Sequence, residues 1–314
     1  MTGQLHIVLG CTNRKTSASL RPVHLGSFTG PRRLEHWQKH LDAAPRTVRA
    51  DAMYAGDAWR EGLHAATAAR DKFDTTVWIL SGGFGLVRED HLLCPYSATL
   101  TPGHADSVPR SGALRRTENR RWMVALSQWQ GPAGSGDPRT ISQVVAKDPD
   151  GHVLVCVGPT YLDAVLDDIR EAAGRSSPPG SLLILASSAK PADGLGANWI
   201  HTPGRLRTTL GGSLGSVSAR VAREVVLDAS SVSGPTVDQA RTTVTRLLAA
   251  STALPTYERI RMSDEHTLDW IASHLDEVPH ASASSALRAL RTSGHACEQR
   301  HFGRLFATAW SQRA

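Results

Sequence analysis

Four short apolar runs, at 5–9, 77–80, 153–157 and 182–185, each stop at a loop of small or polar residues, and this repeat constrains the fold more than any other feature. The loops are Gly10-Cys11-Thr12-Asn13, Ser81-Gly82-Gly83, Gly158-Pro159 and Ala186-Ser187-Ser188. Strands apolar along their whole length, rather than at every second position, belong to parallel sheets covered on both faces. Helical spacing of Trp59, Leu63, Ala66 and Ala69 over 57–73, and a similar pattern from Tyr161 to Ala173, sets helices between them. The pattern predicts an α/β fold, a three-layer Rossmann-like, mostly parallel sheet. Such sheets bind ligands beyond the carboxyl ends of their strands.

The segment 87–150 is rich in Pro, Gly and Arg, with a helix expected at 111–129. That helix gathers Arg115, Arg116, Arg120 and Arg121 with Trp122 and Trp129, close behind Arg110: either a solvated face or a contact for nucleic-acid phosphates. After a Gly-rich stretch at 211–216 and a helix at 217–228, residues 229–235 read as a linker. The expected division is a catalytic domain at 1–228 and an all-helical domain at 236–314. In the latter, Ser293-Gly294-His295 separates two short helices carrying Arg288, Arg291 and Arg304, which fits a helix-turn-helix or a helical cap on the sheet.

The 314 residues carry a formal charge of +6, and only five of the 35 basic residues are lysine. Arginine forks match phosphates, so the bias favours DNA or another polyanion, although a GC-rich genome also encodes arginine by default. The four cysteines are too scattered for zinc or a disulfide framework. No apolar run approaches the roughly 20 residues that cross a bilayer, and the chain enters its first strand directly. A cytoplasmic protein without a membrane partner is expected. Neither a Walker loop nor a dinucleotide fingerprint is present, which disfavours nucleoside-triphosphate hydrolysis and NAD chemistry.

Candidate chemistry gathers in the strand-end loops. Asn13 can orient a water, Lys15 can neutralise a phosphate, and Cys11 is either a nucleophile or a buried strand-end residue. Asp51 can activate water or stabilise a sugar cation, or can serve only as a helix-start carboxylate. Tyr54 offers a stacking face or core packing. Ser81 and Gly82 let a ligand approach the backbone, and Phe84 and Tyr96 are expected to sandwich a planar ring. His201 is the candidate from a second loop, and Arg14 and Arg205 join the arginines set aside for phosphate.

Cys11-x-x-x-Lys15 after a strand, Tyr54-x-Gly56 before a helix, Ile-Leu-Ser-x-x-Phe-Gly-Leu-Val at 79–87 and Pro-Tyr-x-x-Thr-Leu at 95–100 together resemble an uncharacterised bacterial family of small Rossmann-like proteins. Members usually read Cys-Ser-x-x-Lys and Ser-Ala-x-Tyr-Gly-Leu; here Thr12 replaces Ser, and Gly83-Phe84 replaces a Lys/Arg-Tyr pair. The opening is also similar to the central domain of archaeosine synthases, which act on 7-deazaguanine in RNA. The uracil-DNA glycosylase superfamily, with its catalytic Asn or Asp after the first strand, is a further likeness, although its histidine motif is not evident. The resemblance covers about residues 5–100, more weakly 211–213.

With its arginine surplus and basic helical tail, the chain looks most like bacterial DNA glycosylases that excise bulky modified bases from phage genomes. That resemblance implies an N-glycosylase of anti-phage defence, needing no metal or cofactor. It would flip a base such as glucosylated hydroxymethylcytosine from double-stranded phage DNA and leave an abasic site, with Asn13 and Asp51 positioning water. Two alternatives stay open: a base-exchange or modification enzyme of a deazaguanine pathway acting through Lys15 or Cys11, and a non-catalytic DNA-binding defence protein.

Overall fold

A computed structural model of the chain describes residues 3–16, 22–110, 112–178, 180–232 and 234–312. Its centre is a six-stranded sheet of β1 (Gln4–Gly10), β2 (Asp74–Ser81), β3 (Gly85–Arg88), β4 (His152–Cys156), β5 (Leu182–Ala186) and β6 (Trp199–His201), in the order β6-β5-β4-β1-β2-β3. All neighbours are parallel except β2 and β3, which form an antiparallel hairpin. The chain builds outward from β1 on one side and then returns to its other side with β4. The crevice beyond the carboxyl ends of β1 and β4 is therefore the topological switch point of the sheet.

Successive residues of the inner strands are buried, including Leu5 through Leu9, Val77 through Ser81 and Val153 through Cys156, so both faces are covered. This is why the apolar runs were continuous and legible. The helices are α1 (Arg33–Ala43), α2 (Asp57–Arg70), α3 (Arg115–Ser127), α4 (Ile141–Lys147), α5 (Pro159–Ala164), α6 (Leu166–Arg175), α7 (Val217–Asp228) and α8 (Val237–Ala249). Helix α2 packs on β1 and β2, α7 packs on β4 and β5, and the two helices pack on each other. The close approach of α2 to the sheet is set by Gly62, where a Cβ would stand 2.9 Å from the methyls of Leu9.

Strands β3 and β6 went unread in the sequence. The first follows its hairpin turn too closely to show a separate pattern, and the second is three residues long. The helix expected at 111–129 runs over Arg115–Ser127, and Ser111 lies outside the described residues.

The chain divides into compact units at Met1–Ala253 and Leu254–Ala314, later than the expected 229–235 linker. The shift has a plain cause. Helix α8 opens with a capping box between Thr236 and Gln239, and its Val237, Ala240, Val244 and Leu247 belong to the core of the sheet unit.

The second unit contains α9 (Asp264–Glu277), α10 (Ala283–Thr292) and α11 (Gln299–Ser311) around Ile271, Leu275, Leu287, Leu290 and Phe302. It is not wholly helical as expected, because Ile260–Arg261 pairs in parallel with His295–Ala296. Among the described residues no helix is long and apolar enough to cross a membrane.

A partly buried ion network joins α2 to α7. Arg220 Nη2 donates to Asp57 Oδ1 at 3.2 Å and approaches Glu61 Oε1 at 3.0 Å, while the Ser213 amide donates to Asp57 Oδ2 at 2.9 Å. Hydrogen bonds from Ser216 and Ser213 hold the Asp57 carboxyl below its ordinary range, so its stabilising contribution is present above that range and lost as pH falls through it. Glu61 is buried, and Arg220 is the nearest of its cations, with His64 at 3.5 Å and Arg60 at 3.9 Å, both largely exposed. Arg220→Ala should therefore lower the unfolding free energy by about 1–3 kcal/mol in urea denaturation, and Glu61→Gln in that background should recover part of the loss.

Candidate active site

The loop leaving β1 is laced onto the segment that precedes α2. The Cys11 amide donates to the Leu80 carbonyl at 3.0 Å, Thr12 Oγ1 to the Ala55 carbonyl at 2.8 Å, and the Ala55 amide to the Arg14 carbonyl at 2.9 Å. Lys15 pairs with Tyr54 as an antiparallel bridge. These ties swing the Lys15 side chain inward, where Nζ stands 4.4 Å from the centre of the Tyr96 ring and 5.8 Å from that of Tyr54. Its hydrogen bond to the Thr12 carbonyl is long, at 3.5 Å. Burial pushes the Lys15 ammonium below the usual lysine range, with Asp106 opposing the shift more weakly.

Beneath the amine lies a relay of hydroxyls. Ser81 Oγ accepts from the amides of Gly83 at 3.1 Å and Phe84 at 3.0 Å, which fills its two lone pairs. Its proton therefore goes to Tyr96 Oη at 2.8 Å, and Tyr96 Oη shares a further hydrogen bond with Tyr54 Oη at 2.9 Å. A second pair sits beside it: Cys11 Sγ lies 3.0 Å from Tyr161 Oη and accepts from the Gly82 amide at 3.4 Å. Burial raises the phenols of Tyr54, Tyr96 and Tyr161, so all three keep their protons at neutral pH.

The turn from Ser81 to Gly85 is fixed from the other side as well. Trp122 Nε1 donates to the Gly82 carbonyl at 2.8 Å, Trp37 Nε1 to that of Gly83 at 2.9 Å, and Arg139 to those of Phe84 and Leu86 at 2.5 and 2.6 Å. Gly83 is required here because a Cβ would stand 2.5 Å from the Tyr96 ring.

Two residues that sequence reasoning missed complete the site. Val23 and His24 pair with Tyr96 and Ser97 respectively, which sets His24 on the strand next to the one that carries Tyr96. His24 Nδ1 lies 3.0 Å from Asp106 Oδ2, and the other carboxylate oxygen accepts from the Gly26 amide at 2.8 Å. Burial alone would raise Asp106, yet hydrogen bonds from Ser97, Gly26 and His24 outweigh it and hold the carboxyl below its ordinary range. Asp106 is buried while half of the His24 side chain is exposed, so the carboxylate orients an imidazole that reaches solvent. His24 lies on a two-residue strand and Asp106 in a turn far along the sequence, and neither leaves a hydrophobic period. The one available signal was His104-Ala105-Asp106 directly beyond the Pro-Tyr-x-x-Thr-Leu motif.

Other expected residues fall elsewhere. Asn13 is exposed on the β1 loop, at the mouth of the site. The Asp51 carboxylate is held by Arg49 through Nε at 3.1 Å and Nη2 at 2.7 Å, which engages both its oxygens in an ion pair. Phe84 and Tyr96 are interior rings, edge to face at 5.1 Å, and Phe84 stacks on Trp129 instead; no slot for a planar ligand opens between them. Cys11 is likewise buried and serves as an anchor between two strand ends. His201 closes β6, separated from β1 by the two strands β4 and β5. Arg116 and Arg120 turn to Asp163, at 3.6 and 3.4 Å, whereas Arg14, Arg115, Arg121, Arg205, Arg288 and Arg304 are exposed. Among the described residues no group of three or more His, Cys, Asp or Glu converges to hold a metal ion.

Comparisons with protein-family models, with curated proteins and with solved structures return no match. The relay itself is testable without a substrate. Tyr96→Phe removes the central hydroxyl and strands the buried Ser81 and Tyr54 hydroxyls, so unfolding should become easier by about 1–3 kcal/mol. A change under about 0.5 kcal/mol in denaturant titration would show that the hydroxyls are not mutually dependent.

Proposed function

We propose that the chain is a DNA N-glycosylase that releases a modified base, with Lys15 and His24 as its proton-handling pair. The observation that carries this reading is the half-buried Lys15 amine on the Tyr96 ring, within electrostatic reach of the Asp106 carboxylate that holds His24. A lysine ammonium weakened by burial is a better acid than an exposed one, and a carboxylate bonded to one imidazole nitrogen fixes the orientation of the ring. The substrate class rests on other grounds, the arginine surplus and basic helical tail that make the chain resemble glycosylases of modified phage DNA.

In this mechanism Asn13 orients a water and His24 takes its proton. The water oxygen bonds to the anomeric carbon as the glycosidic C–N bond breaks with its electron pair leaving on the base. Lys15 gives a proton to the departing base nitrogen, and proton transfer from His24 back to Lys15 restores both groups. Asp106, rather than Asp51, is the supporting carboxylate.

Duplex DNA carrying glucosylated hydroxymethylcytosine is the first substrate to offer, with base release followed by mass spectrometry and strand lability followed by alkaline cleavage. Lys15→Ala and His24→Ala should each slow single-turnover release by about 100-fold or more while leaving DNA affinity within a few-fold. Full activity in both variants, or no release from modified DNA by the wild-type protein, would overturn the assignment.

A further inference from the structure

The second unit holds a cleft that the catalytic reading does not use. Ser284, Leu287, Arg288, Arg291 and Thr292 line it from one face of α10, their spacing of three and four residues placing them in one row. Gln299 closes it from the start of α11, and Arg259 enters from the segment before the short strand pair. Its volume is about 310 Å³, and no carboxylate is among the lining residues.

Two of its three guanidinium groups are pinned by carbonyls rather than by acids. Arg259 Nε donates to the Arg291 carbonyl at 3.0 Å, and Arg291 Nη2 donates to the Cys297 carbonyl at 3.1 Å. Arg288 is exposed on the same row. No ion pair joins any of the three to an acid among the described residues, and the neighbouring Glu298 is engaged in capping the His301 amide at 2.8 Å. Three like charges directed into one cleft repel each other until an anion enters. Fixed, planar guanidinium forks suit phosphate oxygens better than a diffuse counterion cloud, and Ser284, Thr292 and Gln299 add neutral polar groups at the rim.

A second feature narrows the anion. The Arg259 guanidinium lies 4.2 Å from the centre of the Tyr257 ring, and that ring is 66% exposed. A stacking face beside a phosphate cleft is the arrangement by which proteins hold a nucleic-acid strand, backbone in the groove and base on the ring. We infer that this cleft binds a phosphodiester of a DNA strand, with Tyr257 as the adjoining base platform. The inference deepens the nucleic-acid reading given above and rests on it for the polymer; it assigns the contact to Arg259, Arg288 and Arg291 and leaves Arg304, which hydrogen-bonds to His301, outside the cleft.

The test uses the full chain and fluorescein-labelled oligodeoxynucleotides, single-stranded and duplex, with affinity read by anisotropy across a salt series. Arg288→Glu should weaken binding about 10-fold or more at moderate salt and lower the slope of log affinity against log salt by about one, since one phosphate is no longer neutralised. Arg288→Lys, which keeps the charge, should retain most of the affinity. Tyr257→Ala should weaken single-strand binding about fivefold or more with little change in slope. Unchanged affinity and slope in Arg288→Glu would overturn the inference, as would wild-type protein that binds phosphatidylserine vesicles but no oligonucleotide. Weaker DNA binding by Arg288→Glu without base release from any substrate would sustain the cleft and sink only the enzymatic reading.

Discussion

Because consecutive residues of β1, β2 and β4 are buried on both faces of the sheet, few polar side chains can be carried along these strands, and those that are, such as His6 and His152, are held by hydrogen bonds to Asp148 and the Pro235 carbonyl. Polar chemistry is displaced to their ends, where the backbone loses its ladder partners and side chains must satisfy the loops. The Ser81–Gly85 turn shows what that requires: its amides are taken by Cys11 Sγ and Ser81 Oγ, its carbonyls by Trp122, Trp37 and Arg139. Once the turn is fixed, Tyr96 has one place to go, and its ring becomes the floor on which Lys15 rests. The unusual character of that lysine follows from the burial of the sheet beneath it.

Legibility in the sequence followed the range of the interactions. The four parallel strands at 4–10, 74–81, 152–156 and 182–186 were readable because each is a run of adjacent apolar residues, a local signal. Lys15, Tyr54, Ser81 and Tyr96 were readable as candidates because strand-end loops are where such sheets act. Their meeting in one relay was visible only as loop membership. His24 and Asp106 escaped because their partnership is made by a two-residue pairing with Tyr96 and Ser97, too short to imprint a period. Asp51 and Phe84 were misread for the same reason in reverse. Nothing in the local pattern reveals that Arg49 engages the carboxylate or that Trp129 covers the ring.

The arginine surplus resolves into distinct uses. Arg139 and Arg33 stake loops by donating to carbonyls, Arg33 holding the Ser107 and Val108 carbonyls beside Asp106. Arg220 ties α2 to α7 through carboxylates. The cleft arginines of the second unit, which form no ion pair among the described residues, are the ones whose arrangement asks for an outside anion. Net charge alone could not separate these classes, since a guanidinium contributes the same unit whether it braces a loop or waits for phosphate.

The central claim is that Lys15 is a lysine made weakly basic by its burial on the tyrosine floor. Its five lysines make the protein suited to direct titration of each amine by heteronuclear NMR on lysine-labelled protein. One of the five signals should titrate below the ordinary value of about 10.4 and vanish in Lys15→Arg. Five lysines titrating together at the ordinary value would contradict the account, because the amine would then be a solvated surface charge with no special role at the end of the sheet.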